Sequence, residues 1–160
     1  MPNSQGGENT ERTLVPEEGD DNSQDWVVPI GSRREGRERV ISLLYEMEVK
    51  SCSASTLLQE LTLKPDPFVA ERLLGITDNQ VLLNSEIRKL SGDWEPSRMP
   101  LLDHAILQLG MFELIFRPEV PTGVILSEAV ELAQKFSTES SGKFINGLLS
   151  AAAKQLRQTE

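Results

Sequence analysis

The 160-residue chain holds a single cysteine, Cys52, and a single histidine, His104. One cysteine excludes an intrachain disulfide and a cysteine zinc site, and it suits a reducing compartment. One histidine excludes a multi-histidine metal centre. No apolar run approaches the ~20 residues that a membrane-crossing helix requires. The N-terminus lacks the basic-then-apolar order of a signal peptide, which predicts a cytoplasmic protein. The sequence contains no G-x-x-x-x-G-K-[ST], no G-x-G-x-x-G and no G-x-S-x-G, so the familiar phosphate cradles and the hydrolase elbow are missing. Basic charge is also short: 16 Lys and Arg stand against 25 Asp and Glu, a net charge of −9. Taken over the whole chain, that balance speaks against a nucleic-acid binder, which normally shows a basic footprint.

The charge is unevenly placed. Residues 1–30 hold seven acids (Glu8, Glu11, Glu17, Glu18, Asp20, Asp21, Asp25) and one base (Arg12), so they carry −6. Residues 31–160 hold 18 acids and 15 bases and carry only −3. The first 30 residues are rich in Asn, Ser, Gly, Gln, Glu and Pro and offer little to bury, which predicts a disordered acidic tail. Trp26-Val27-Val28-Pro29-Ile30 is a short apolar patch at its end. It reads either as a segment docked on the domain or a partner, or as a linker lying loosely on the surface.

From residue 31 the apolar spacing is helical almost throughout. Ser32-Arg33-Arg34-Glu35 has the form of a capping box, and Val40, Leu43, Leu44 and Met47 follow the i, i+3, i+4, i+7 rule behind it. This predicts a helix to about Lys50, then a short one over 54–62. Asp66-Pro67 is a start signal, with Asp as cap and Pro in the first position. A helix of roughly 67–90 is expected to follow, with Gly75 as a weak point. After the break Ser91–Pro96, Leu102, Ala105, Ile106, Leu109, Phe112 and Phe116 form one stripe. Pro118 and Pro121 end it, and Thr122 is a cap for the helix carrying Ile125, Ala129, Leu132 and Phe136. Ser137–Gly142 reads as a loop before a last helix with Phe144, Ile145, Leu148, Leu149 and Ala152. Residues 31–160 are therefore predicted as one all-α domain of six or seven helices, long enough to bury a sufficient core.

Candidate chemistry is sparse. His104 beside an apolar stripe reads as a structural or surface histidine rather than a catalytic base. Cys52 reads as a small filler rather than a nucleophile. Glu113, Glu128 and Glu131 lie near apolar helix faces without a partner histidine or metal, so they read as helix-face or salt-bridged groups rather than acid–base catalysts. No catalytic residue, metal ligand or cofactor site is expected. The basic cluster Arg33, Arg34, Arg37 and Arg39 says more. On a helix, 33, 34 and 37 are expected to share a stripe opposite the apolar one, with Arg39 turned away, and guanidiniums there can grip phosphates. The same pattern also fits a solvated face balanced by Glu35 and Glu38. Lys143-Phe144 at a helix start can hold a phosphate and stack a base, or can be a solvated lysine beside a core phenylalanine.

Together these blocks resemble the NusB family of transcription antitermination factors. The opening Arg33-Arg34-Glu35-Gly36-Arg37-Glu38-Arg39 with Leu43-Leu44-Tyr45-Glu46 is similar to the start of that family. Trp94 with Arg98-Met99-Pro100 and Asp103-His104-Ala105-Ile106-Leu107 resembles its middle signature, and Phe112-Glu113-Leu114 its aromatic-Glu-Leu. Ser127-Glu128-Ala129-Val130-Glu131-Leu132-Ala133 and Lys143-Phe144-Ile145-Asn146-Gly147-Leu148-Leu149 resemble the later blocks. The similarity spans about 33–150, in order, and leaves the tail outside.

The resemblance implies a helical bundle of two packed halves and a non-enzymatic role. It implies binding of single-stranded boxA RNA in ribosomal RNA leaders together with NusE, a small-subunit ribosomal protein, within a larger complex of NusA, NusG and RNA polymerase. It places RNA contacts on Arg33, Arg34, Arg37, Ser140, Lys143 and Phe144, and the NusE face near Tyr45 and Asp103. Some family members form homodimers. Three departures stand out: Gln108 where arginine is usual, Ser127 where asparagine is usual, and Ser140 and Gly142 in a loop that often carries an acid and a larger residue. A second reading, a helical protein-interaction module without RNA binding, is motivated by Gln108 and the acidic tail. NusB-like helices also precede some RNA methyltransferases, but no segment of that size follows residue 160, so that reading is not expected to apply.

Overall fold

The structure, a computed structural model, describes residues 27–28 and 32–158. The expected acidic tail over 1–30 lies outside the described residues except at Val27 and Val28. These two form β1 (Val27–Val28), which pairs in parallel with β2 (Lys64–Pro65), Val27 opposite Lys64. At these residues the apolar patch is docked on the domain through its backbone.

Seven helices follow among the described residues: α1 (Arg33–Lys50), α2 (Ala54–Glu60), α3 (Pro67–Asp78), α4 (Gln80–Leu90), α5 (Leu101–Phe116), α6 (Thr122–Phe136) and α7 (Glu139–Leu156). Local chemistry fixes their starts. Ser32 Oγ accepts the Glu35 amide at 3.2 Å, and Asp66 Oδ1 accepts the Phe68 amide at 2.8 Å, with Pro67 in the first position where its missing N–H costs nothing. A single 3-10 turn over Pro96–Arg98 leads into α5.

Four boundaries differ from the sequence reading, the smallest being α2, expected over 54–62, which ends at Glu60. The helix expected over 67–90 is two, because Asn79 turns out of helical geometry and directs both its backbone N–H and its side-chain amide to the Gly75 carbonyl. The cap of α6 is Pro121 rather than Thr122, which is already helical. The loop expected over 137–142 ends at Thr138, whose hydroxyl accepts the Ser141 amide at 3.0 Å and starts α7 there.

The core runs along α5, where residues 105–114 are all buried. A helix apolar on every side belongs inside a protein, and α5 contacts α1, α3 and α4 on one flank and α6 and α7 on the other. Two glycines allow the closest approaches. A Cβ on Gly75 would lie 2.5 Å from two ring carbons of Phe112, and one on Gly110 would lie 2.6 Å from Leu149 Cδ1. Arg157, just past α7, locks the far end. Its guanidinium donates to the carbonyls of Glu113, Leu114, Arg117 and Val120, a cation placed on the electron-rich C-terminus of α5.

Candidate nucleic-acid interface

The arginines of α1 divide between two faces. Arg37 stands three residues before Val40 and seven before Leu44, so it continues the buried stripe instead of opposing it. It is 4% exposed. Its Nε and Nη2 each donate to a carboxylate oxygen of Glu113 at 2.7 Å, and Arg72 Nη2 donates to the same carboxylate at 3.2 Å. Phe68 supplies a ring for these cations: the guanidinium carbons of Arg72, Arg33 and Arg37 lie 3.6, 4.5 and 5.6 Å from its centroid. Burial lowers the Arg72 pKa, and the charge and hydrogen bond of Glu113 oppose that shift. Arg37 is thus a tie between α1 and α5. The expected stripe of three solvent-facing guanidiniums does not form.

Arg33 and Arg34 remain at the surface. Arg34 reaches across to α6, donating from Nε and Nη2 to Glu128 at 3.0–3.3 Å, with its side chain 55% exposed. The hydrogen bond and charge of Glu128 raise its pKa. One turn further along α1, Glu38 accepts from Lys135 at 2.9 Å. Arg34, Glu38, Glu128, Glu131 and Lys135 line a shallow depression of about 160 Å³ between α1 and α6. This pairing had a signal in the sequence: Arg34/Glu38 at i, i+4 and Glu128/Lys135 at i, i+7 are complementary stripes on two helices.

On the other flank of α6 lies a groove of about 560 Å³ against α7, lined in part by Ser127, Glu131, Glu139, Gly142, Lys143 and Asn146. Lys143 is 80% exposed, with Glu139 Oε1 3.8 Å from its ammonium. Ser140 is exposed in the first turn of α7. Phe144 is half-buried against the core, and its ring meets Trp94 at 4.8 Å between centroids with the planes 52° apart. Arg34 and Lys143 therefore sit on opposite sides of α6, with Glu131 bordering both depressions.

Asp103 is not on the surface. It is 1% exposed, and its two carboxylate oxygens accept the hydroxyls of Ser137 at 2.6 Å and Ser141 at 2.7 Å. It clasps the first turn of α7, just before Lys143 and Phe144, while Tyr45 is exposed on α1. Gln108, one of the three departures, is also buried, donating to Asn84 Oδ1 at 3.3 Å. The position where arginine is usual therefore contributes nothing to the surface charge here.

Among the described residues no group of three or more His, Cys, Asp or Glu is placed to hold a metal ion, and no helix is long and apolar enough to cross a membrane. His104 Nε2 lies 2.7 Å from Asn84 Oδ1, and Cys52 is half-buried at the end of α1. Glu113 and Glu128 are salt-bridged, as their surroundings in the sequence suggest.

The comparisons with known proteins agree with one another. The model of the NusB family matches residues 34–154. The chain is 36% identical over 137 residues to the transcription antitermination protein NusB of Sorangium cellulosum, covering 82% of this chain and 98% of that one. It is 35% identical over 139 residues to the protein of the same name from Myxococcus xanthus, covering 81% and 99%. Among solved structures, T. maritima NusB superposes with a TM-score of 0.70 at 31% identity, covering 78% of this chain and 92% of that one. A second, described as antitermination factors NusB and NusE in complex with double-stranded RNA, superposes with a TM-score of 0.65 at 25% identity, covering 77% and 96%.

Proposed function

The chain belongs to the NusB family, and on that premise we propose that it is a transcription antitermination factor that binds boxA-type single-stranded RNA together with NusE. In this reading it acts in the cytoplasm, in a larger complex with NusA, NusG and RNA polymerase, and helps the polymerase resist premature termination. It binds and does not catalyse.

The observation that carries the reading is the surface near the start of α7, where Lys143, 80% exposed, directly precedes Phe144, whose ring pairs with Trp94. A cation next to aromatic rings is what a single strand needs, one for phosphate and the other for bases. Arg33 and Arg34 add contacts on the other side of α6, which a strand reaches by crossing that helix. Arg34 holds Glu128 through Nε and Nη2, so its Nη1 can take a phosphate oxygen without breaking that pair. Arg37 is left out, because moving its guanidinium to RNA would break two 2.7 Å bonds in the core and leave the Glu113 carboxylate only Arg72.

Three cations imply a shallow salt dependence, a slope of about −2 in log K against log salt. That is a weak grip, and it is the physical reason to expect a partner that extends the surface and raises the effective concentration of the second contact. Tyr45, exposed on α1, is the part of the expected NusE face that remains accessible. Asp103 is buried and offers no surface to that face. A homodimer is a further assembly, tested by sedimentation.

One observation favours a second reading, a helical protein-interaction module without RNA binding. Arg34, Arg37 and Lys135 are all matched by carboxylates of the chain itself, Glu128, Glu113 and Glu38. Titration of a boxA RNA oligonucleotide with and without NusE separates the two. Binding that tightens with NusE and weakens with salt is expected. No binding in either case at low salt leaves the second reading.

A further inference from the structure

Phe144 presents little ring surface. It is half-buried against the core, and its ring also meets Trp94. The accessible ring is that of Trp94, which is 38% exposed in the link between α4 and α5. Leaving so large an apolar side chain in water costs free energy, and the link is not loose enough to excuse it.

The backbone around Trp94 is held by Ser91, which is buried. Ser91 Oγ donates to the Trp94 carbonyl at 2.8 Å and to the Arg88 carbonyl at 3.3 Å, and the Trp94 amide returns to the Ser91 carbonyl at 3.2 Å. Gly92 sits at φ +64°, the left-handed geometry that this tight turn demands and that glycine adopts without strain. Arg88 and Glu95 close the base of the turn at 3.1 Å. The turn that carries the indole is thus held by hydrogen bonds, and the ring itself rests against Phe144. Its plane leans 52° from that of Phe144, so the two rings form an open wedge rather than a closed stack.

We propose that Trp94 is the principal base-stacking residue of the RNA surface: one unpaired base lies on the exposed indole face, backed by Phe144, while Lys143 takes a flanking phosphate. This rests on the RNA-binding reading above and adds to it the residue that receives the base. An aromatic platform suits a base because every base has a π-face, and one carried on a hydrogen-bonded turn against a second ring loses less freedom on binding than one on an open loop.

The test uses the full chain with Trp26→Phe, so that Trp94 is the sole tryptophan, titrated with a boxA-type single-stranded RNA oligonucleotide in the presence of NusE. Saturable quenching of the Trp94 fluorescence is expected at the concentrations where RNA binds. Trp94→Leu, which keeps an apolar side chain against Phe144, is expected to weaken RNA binding by about 5- to 150-fold, the loss of one stacked base. Trp94→Phe is expected to restore most of it, and both variants are expected to keep the helical circular dichroism of the parent. RNA binding without quenching, or with unchanged affinity in Trp94→Leu, overturns the assignment and leaves the RNA-binding reading standing. No RNA binding by the unaltered chain overturns both.

Discussion

Arg37 and Glu113 face each other as a fork on a fork, two parallel hydrogen bonds of 2.7 Å between side chains at most 5% exposed. Removing Arg37 takes away both short bonds and leaves the buried carboxylate only the longer 3.2 Å bond from Arg72. Arg37→Ala is expected to cost about 3–5 kcal/mol, read from urea unfolding. A variant as stable as the parent would show that the pair is dispensable. Any loss of RNA binding in this variant follows from the loss of fold and should track the unfolded fraction.

Arg34→Ala is its counterpart at the surface. The pair with Glu128 is exposed on the arginine side, and such pairs contribute about 0–1 kcal/mol, so the unfolding midpoint should barely move. RNA affinity should fall, and the slope of log K against log salt should flatten by about 0.7. An unchanged slope would remove Arg34 from the phosphate contacts.

The fold was legible in the sequence to the extent that its signals are local. Capping at Ser32 and Asp66, the apolar spacing of α1 and the prolines between α5 and α6 each act within one turn of chain. The division at Asn79 was legible only as a weak point at Gly75, since the break itself lies four residues on, where Asn79 leaves helical geometry and its side chain bonds the Gly75 carbonyl. The site was legible in part. The position of Arg37 on the Val40–Leu44 stripe pointed inward, but a charged residue on an apolar stripe reads as core only once its partner is known, and Glu113 lies 76 residues away. The same holds for Asp103, whose partners are hydroxyls from the far side of α6.

Asp103→Ala tests that clasp. It removes the carboxylate that accepts from both hydroxyls and leaves Ser137 only the Ser141 oxygen, a loss of about 1–3 kcal/mol. The first turn of α7 should loosen, giving faster amide exchange at 139–142 and weaker RNA binding while the overall helix content holds. Unchanged exchange there would mean that Thr138 alone fixes the turn.

His104 gives a pH dependence with a definite sign. Burial lowers its pKa below the ordinary value of about 6.5, with the charge of Glu48 pulling the other way. The neutral ring donates from Nε2 to Asn84 Oδ1. The unfolded chain therefore takes up the proton first as acidity rises. The stability owed to the neutral ring is complete above pH ~6.5 and is lost as pH falls through the lowered folded value. His104→Gln, which has no such proton to bind, should show a flatter decline between about pH 7 and 5 than the parent. Parallel curves would place the histidine in an ordinary solvated setting.

Because α5 is the inner wall of both halves at once, neither half has a core of its own to fall back on. Detaching α6 and α7 would uncover Gly110 and its neighbours on the same helix that α1, α3 and α4 use. Heat should therefore melt the described domain in one cooperative transition, with calorimetric and van't Hoff enthalpies in agreement. A chain cut in the link between Phe116 and Thr122 should give two fragments that are unfolded apart and helical only when mixed.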